Sequence, residues 1–294
     1  MRGFILKKAV RPIRRISKLK LIVCALLLVG QVAAQPSFIQ QTAHRAGKKP
    51  EQFEKAVCSY SNDKIAARVF REYGAVFVTD ETVTAPSKCV FDSATAVTHF
   101  HNDLNLATSK IGNVEITLQA EAMRALLDAI DEASEARLRI TPLDGSIAGT
   151  RDYEDTVRLW NSRFYRALDH WQRRGKISKV DADNARALSV YEQVPVVLKW
   201  EESGLWFSTG LNRSILSSVA APGTSQHLSG LAFDIVEYRN ARVRAAMNRH
   251  GWFQTVANDE PHFTYLGRTE ADLPKVGLIS TYKNGYKFWI PSIR

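Results

Sequence analysis

The sequence predicts an α+β protein: a small antiparallel sheet with flanking helices. Three observations carry this. Met123, Leu126, Leu127 and Ile130 fall at i, i+3, i+4 and i+7 of a helix beginning at Gln119. Tyr153, Val157, Trp160, Phe164, Leu168 and Trp171 make a longer apolar stripe that Gly175 stops. The remaining apolar runs are short and bounded by turn residues, which suits hairpin-joined strands mixed with helices.

The elements follow in order. Residues 35–57, with "AGKKPEQFEK", are polar and read as a loose lead-in. "AVFVTD" at 75–80, "CVFDSATAV" at 89–97 and "VEITL" at 114–118 have β-type composition. After the helix from Gln119, "RLRIT" at 137–141 reads as a strand closed by the turn "PLDGS". The aromatics of the 153–171 stripe are core residues by their periodicity rather than a binding platform. Helical text continues through residues 181–202, with Pro195 at a boundary or kink. "LWFST" at 205–209 and "LAFDIVEY" at 231–238 read as strands. Val243, Ala246, Met247 and His250 then share one side of a short helix ended by Gly251. "HFTYLG" at 262–267 is a further strand, and "LISTYK-NG-YKFWIP" is a hairpin whose Asn284-Gly285 suits a type I′ turn.

The N-terminus is of a different kind. Residues 1–20 hold eight Lys/Arg and no acid, and Leu21 to Ala34 is a short apolar run ending in "VAA". That pattern is a secretory signal peptide over residues 1–34. The formal net charge of +10 belongs mostly to this segment, since without its eight cations 32 basic residues face 30 acidic ones. A nucleic-acid partner, which needs a basic footprint, loses its support. Cys58 and Cys89 are the cysteines left after residue 34. In an exported chain they form one disulfide, which would stabilise the fold by roughly 3–4 kcal/mol in the chain-entropy account. We divide the rest into an N-terminal extension, 35–109, and a domain carrying the chemistry, 110–294.

The chemistry centres on "TSQHLSGLAFDI", residues 224–235. Alternation puts Leu231, Phe233 and Ile235 on one face of a strand and Asp234 on the other, among small neighbours. A carboxylate buried there must be paired or coordinated. His227 lies in the preceding turn and His262 opens a later strand. Two histidines and one carboxylate form a three-ligand metal site with an open position, the pattern of catalytic zinc. The spacing alone is equally compatible with a buried Asp–His hydrogen bond and no metal.

The motif S-x-H-x-x-G-x-A-x-D, here Ser225, His227, Gly230, Ala232 and Asp234, resembles that of the D-alanyl-D-alanine metallopeptidases. These zinc peptidases trim peptidoglycan stem peptides and belong to a group shared with lysostaphin and the hedgehog domain. "DEPHFTYLG" is similar to their second motif, and "GTRDYEDTVRLW" resembles their arginine segment. The resemblance covers roughly residues 110–270. It implies the hedgehog/D,D-peptidase-like fold and Zn2+ held by His227, Asp234 and His262. Asp259 becomes the general base, with Glu260 the alternative on the same side of an extended segment as His262. Arg151 becomes the group that steadies an oxyanion or substrate carboxylate, and Arg213 and Ser225 become substrate contacts.

Three departures stand out. Asp259 occupies the position where many members have Glu. Thr156 replaces the usual Gln of the arginine segment. The stretch from Arg151 to His227 is long, with an added helical region that could cap the cleft. The implied function is an exported hydrolase of the bacterial cell envelope, periplasmic or extracellular, acting on peptidoglycan peptides as a D-alanyl-D-alanine carboxypeptidase. An L-alanyl-D-glutamate or D,D-endopeptidase of the same chemistry, or a non-catalytic wall-binding module keeping the zinc cradle, are the alternatives. Oligomeric state leaves no mark in the sequence.

Overall fold

The computed structural model describes residues 37–257 and 259–293. The signal-peptide reading falls on residues outside these. Among the described residues no helix is long and apolar enough to cross a membrane.

The chain is α+β as expected, with a richer N-terminal part than the sequence suggests. The polar lead-in contains α1 (Phe38–Arg45) and α2 (Pro50–Ala56), followed by α3 (Lys64–Tyr73). Whereas α3 buries Ala66, Val69, Phe70 and Tyr73 at i, i+3, i+4 and i+7, the first two are too short to show a stripe. They hold by end-capping, as where Ser37 and Gln40 cap α1 reciprocally, and by single buried anchors such as Phe38 and Phe53. The predicted strand at 75–80 is instead a 3-10 turn, Gly74–Val78, buried on all sides. The run at 89–97 likewise forms no strand; it leads into α4 (Ala94–Asn102). Phe38, Phe53, Phe70 and Phe77 pack together in the same hydrophobic core as Leu231 and Phe233. The lead-in therefore helps support the sheet that carries the site. Cys58 and Cys89 are joined in a disulfide.

Next come β1 (Leu106–Ile111), absent from the sequence reading, and β2 (Val114–Gln119), paired as an antiparallel hairpin, then α5 (Ala120–Glu135). Residues 137–141 do not form a strand. Beyond them Pro142 makes one isolated bridge to Ile235.

The insertion is a helical layer: α6 (Tyr153–Arg173), α7 (Lys179–Ala187) and α8 (Val190–Glu202). Asp152 and Asp155 cap α6 reciprocally. Trp160, Phe164 and Leu168 of α6 face Val194 and Val197 of α8 in a core of their own. The predicted stripe is thus core, and Pro195 lies inside α8. "LWFST" is not a strand: Phe207 plugs that helical core, while the Ser208 amide bonds within its own loop to the Arg213 carbonyl.

The site rests on the last sheet. Strand β3 (Ala232–Asp234) is shorter than predicted. It is followed by α9 (Ala241–Arg249), β4 (Trp252–Phe253) and β5 (His262–Tyr265). The order is β3-β5-β4, all antiparallel. The chain closes with the predicted hairpin, β6 (Leu278–Lys283) and β7 (Tyr286–Pro291), turning at Asn284-Gly285, both at positive φ.

Candidate metal centre

The register of β3 on β5 places Asp234 directly opposite His262. Residues paired across an antiparallel ladder project to the same face. One step inward, Phe233 faces Phe263, both fully buried, and fixes that register against slipping. His227 arrives from the short 3-10 turn Gln226–Ser229, which the Ser225 hydroxyl caps by accepting from the His227 amide at 3.3 Å. Gly230 ends the turn at φ +66°, a conformation that costs other residues about 1–2 kcal/mol. From there the chain reverses into β3.

The ligand atoms of His227, Asp234 and His262 lie within 4.8 Å of one another. Nε2 of His227 is 3.1 Å from Nδ1 of His262 and 3.2 Å from Oδ2 of Asp234. Nδ1 of His262 is 3.1 Å from Oδ1 of Asp234. The outer nitrogens decide what this cluster is. Nδ1 of His227 is 2.7 Å from the Gly149 carbonyl, which only accepts, so the proton sits on Nδ1. Nε2 of His262 is 2.7 Å from Oε1 of Gln226. Gln226 is oriented by its Nε2 donating to the Tyr73 carbonyl at 2.7 Å, so its oxygen must face His262. Both imidazoles are thereby held as tautomers whose bare lone pairs point inward, beside an ionised carboxylate. Three electron-rich ligands converging without a proton between them call for a cation. The outer hydrogen bonds are those that orient histidine ligands around a metal.

The electrostatics agree. Burial, reinforced by the nearby Arg151 cation, pushes His227 down to about 4, so it stays neutral and able to ligate. Burial opposes the Asp234 charge, but the two histidines and Arg151 outweigh it and hold the carboxyl well below its usual range.

Arg151 is placed by the 149–151 turn, where the Thr150 amide and hydroxyl both donate to the Thr117 carbonyl of β2, at 2.9 and 2.7 Å. Its own amide donates to the His227 carbonyl at 3.2 Å. Its Nη2 donates to Oδ2 of Asp234 at 2.7 Å and its Nε to the Ile147 carbonyl at 2.8 Å. Asp259 lines the same cleft, of about 140 Å3, as Arg151, Ser225 and the three ligand residues. Burial raises the Asp259 carboxyl to about 6. Glu260 points elsewhere, its Oε1 accepting from Asn284 at the hairpin tip at 2.8 Å.

Arg213 is not brought to this cleft. It is exposed and lines a separate cavity with Arg68 and Arg71. Gln226 and Arg163 are among the cleft residues that escaped the sequence reading. Gln226 is the position its motif leaves free. Arg163, 12 residues after Arg151 on α6, lines the cleft wall with Leu159. The signal for both was weak: a polar residue beside a candidate ligand, and an arginine within an otherwise surface-like helix pattern.

No family model and no curated protein matches the chain. Solved structures do include matches. The chain is similar to a vancomycin-resistance D,D-pentapeptidase, VanY from a VanB-type cassette, solved as a mutant in complex with Zn(II); identity is 18%, the TM-score is 0.33, and the match covers 56% of this chain and 82% of that one.

Proposed function

We propose that the chain is an exported zinc-dependent peptidase acting on peptidoglycan stem peptides, most simply as a D-alanyl-D-alanine carboxypeptidase. The observation that carries this is the convergence of two inward lone pairs and a carboxylate whose outer partners are already satisfied. Zinc held by His227, Asp234 and His262 would keep a fourth position open, polarise a scissile carbonyl and lower the pKa of a bound water towards about 7.

The chain's own groups supply the rest. Asp259, raised to about 6, would take the proton of the attacking water and return it to the leaving amine; a carboxylate near the working pH does both. That Glu260 is bonded to Asn284 favours Asp259 in this role. Arg151 has Nε and Nη2 engaged, and its remaining nitrogen, Nη1, would meet the charge that develops on the carbonyl oxygen. Ser225 would contact substrate from the rim. The Cys58–Cys89 disulfide supports an oxidising compartment outside the cytoplasm. The near balance of charge beyond residue 34 supports a peptide rather than a nucleic acid as partner.

Zinc-loaded protein incubated with pentapeptide monomers and cross-linked dimers, followed by mass, tests this. Loss of one alanine from monomers, absent in Asp259→Ala and with chelator, is expected. Monomers released from dimers would make the chain an endopeptidase. Binding of zinc and wall fragments with no bond cut would refute the enzymatic reading.

A further inference from the structure

We infer that the cavity beside the metal cleft is a second substrate subsite, which holds carboxylates of an acidic peptide away from the bond that is cut; this rests on the peptidase reading above. The cavity measures about 540 Å3 and draws on α3, the loop between α8 and the His227 turn, and the closing hairpin. Its charged lining is Arg68, Arg71, Arg213 and Lys283 against one acid, Glu72. Glu72 is committed, because Arg68 Nε donates to its Oε1 at 2.9 Å. Among the described residues Arg71, Arg213 and Lys283 have no ion-pair partner. Gathering three free cations around one hollow raises their mutual repulsion, which an anionic ligand would offset. Beyond residue 34 the chain is nearly neutral, so this grouping is not a by-product of a basic surface.

The cavity adjoins the cleft. Glu72 and Ser217 line the cavity, while their chain neighbours Tyr73 and Ser218 line the cleft. Ala257 lines the cavity and Asp259, two residues on, lines the cleft. The boundary between them is the Tyr73 hydroxyl donating to the Leu216 carbonyl at 2.8 Å. A peptide with its scissile bond at the metal centre would cross that boundary to reach a basic hollow, with the half-buried Trp206 as an apolar wall. The ligand chemistry that fits is a peptide with carboxylates several atoms from the bond that is cut. Arg213 belongs to this subsite rather than to the terminal carboxylate.

The test uses two synthetic pentapeptides ending in D-Ala-D-Ala, one with its internal carboxylates free and one with them amidated. Both are given to the zinc-loaded full chain, to the Arg71→Gln/Lys283→Gln variant and to the charge-keeping Arg71→Lys/Lys283→Arg variant. The wild type should prefer the acidic peptide through KM, with kcat alike. The neutral variant should lose about tenfold of that preference, the cost of one or two charge-assisted hydrogen bonds, and the charge-keeping variant should restore it. Equal KM ratios in all three proteins would overturn the inference. If no peptide is hydrolysed, calorimetric titration of the metal-free chain with an acidic tripeptide lacking the scissile bond decides. Binding that the neutral variant loses upholds the subsite without the peptidase, and no binding overturns it.

Discussion

Replacing Gln226 by leucine keeps the volume of the side chain but removes the amide that sets the tautomer of His262. In the native protein that amide donates to the Tyr73 carbonyl and accepts from Nε2 of His262, each at 2.7 Å, and also accepts from the Thr264 hydroxyl. Thr264 has a second partner in Thr255 at 2.6 Å, so its loss is small. The Tyr73 carbonyl, which also begins the Gly74–Val78 turn, loses its side-chain donor, and Nε2 of His262 loses its acceptor. At about 0.5–1.5 kcal/mol for each lost hydrogen bond, the metal-free fold should lose about 1–3 kcal/mol. The ligand set suffers separately. With no acceptor at Nε2, the His262 proton can move to Nδ1 and bond Oδ1 of Asp234, 3.1 Å away, which blocks the nitrogen that faces the metal. Losing an outer partner of this kind costs about 10–100-fold in metal affinity. Gln226→Glu separates the two effects. It keeps an acceptor for His262 but turns a second oxygen on the Tyr73 carbonyl, so stability should fall while affinity holds. Zinc affinity by competition with a chromophoric chelator, and thermal unfolding of the metal-free chain, read the two quantities. Native zinc affinity in Gln226→Leu would refute the argument that outer hydrogen bonds fix the tautomers.

Four further outcomes follow. Gly223 sits at φ +76°, and a Cβ there would lie 1.9 Å from the Phe91 carbonyl oxygen. Gly223→Ala should therefore cost more than about 2 kcal/mol in denaturant unfolding, whereas Gly112→Ala, at φ +61° in open space, should cost no more than about 1–2 kcal/mol. Cys58→Ser/Cys89→Ser should lower stability by about 3–4 kcal/mol for a sequence separation of 31, and an unchanged unfolding midpoint under reductant would contradict it. Asp259 acts as a base only when ionised, so kcat/KM should fall about tenfold per pH unit below about 6, its raised value. A cation beside it can only lower that limb, so a limb above about pH 7 would exclude Asp259. For the metal-free fold the sign is opposite. A carboxyl raised above its unfolded value of about 3.9 contributes stability that is full below that value and is lost as pH rises through about 6, so Asp259→Asn should gain stability relative to wild type at pH 7.

What was legible in the sequence follows from how far each signal reaches along the chain. The long stripes of α5 and α6 and the Asn-Gly hairpin were readable because local period or turn chemistry specifies them. The failures share a cause. "AVFVTD" has strand composition, yet a short run buried on every side has no period that separates a strand from a 3-10 turn. "LWFST" lacks a neighbouring strand to pair with, which composition cannot reveal. The α1 and α2 helices are held by one buried phenylalanine each, a tertiary contact invisible to a window of residues. The spacing of His227, Asp234 and His262 pointed to a possible site but could not separate a metal centre from a plain Asp–His bond. That distinction lies in Gly149 and Gln226, 78 and 36 residues from the histidines whose protons they fix.

The sheet and the turn divide the work of holding the centre. Two of the three ligands, Asp234 and His262, are one opposed pair in a ladder, so their separation is set by strand spacing and not by side-chain choice. A slip of one residue in either strand would carry its ligand to the face opposite its partner's, and it is costly because it also moves one ring of the fully buried Phe233–Phe263 pair out of the core. The third ligand cannot come from the same ladder, because the remaining neighbour of β5 is β4, which carries Trp252 and Phe253. It comes instead from the turn that Gly230 reverses into β3, seven residues ahead of Asp234. The same turn carries Gln226, so one short segment supplies both a ligand and the group that orients its partner. This gives a physical reason for fixed positions in S-x-H-x-x-G-x-A-x-D: Ser caps the turn, Gly reverses it, Ala leaves room on the ligand face, and Asp meets the histidine across the ladder.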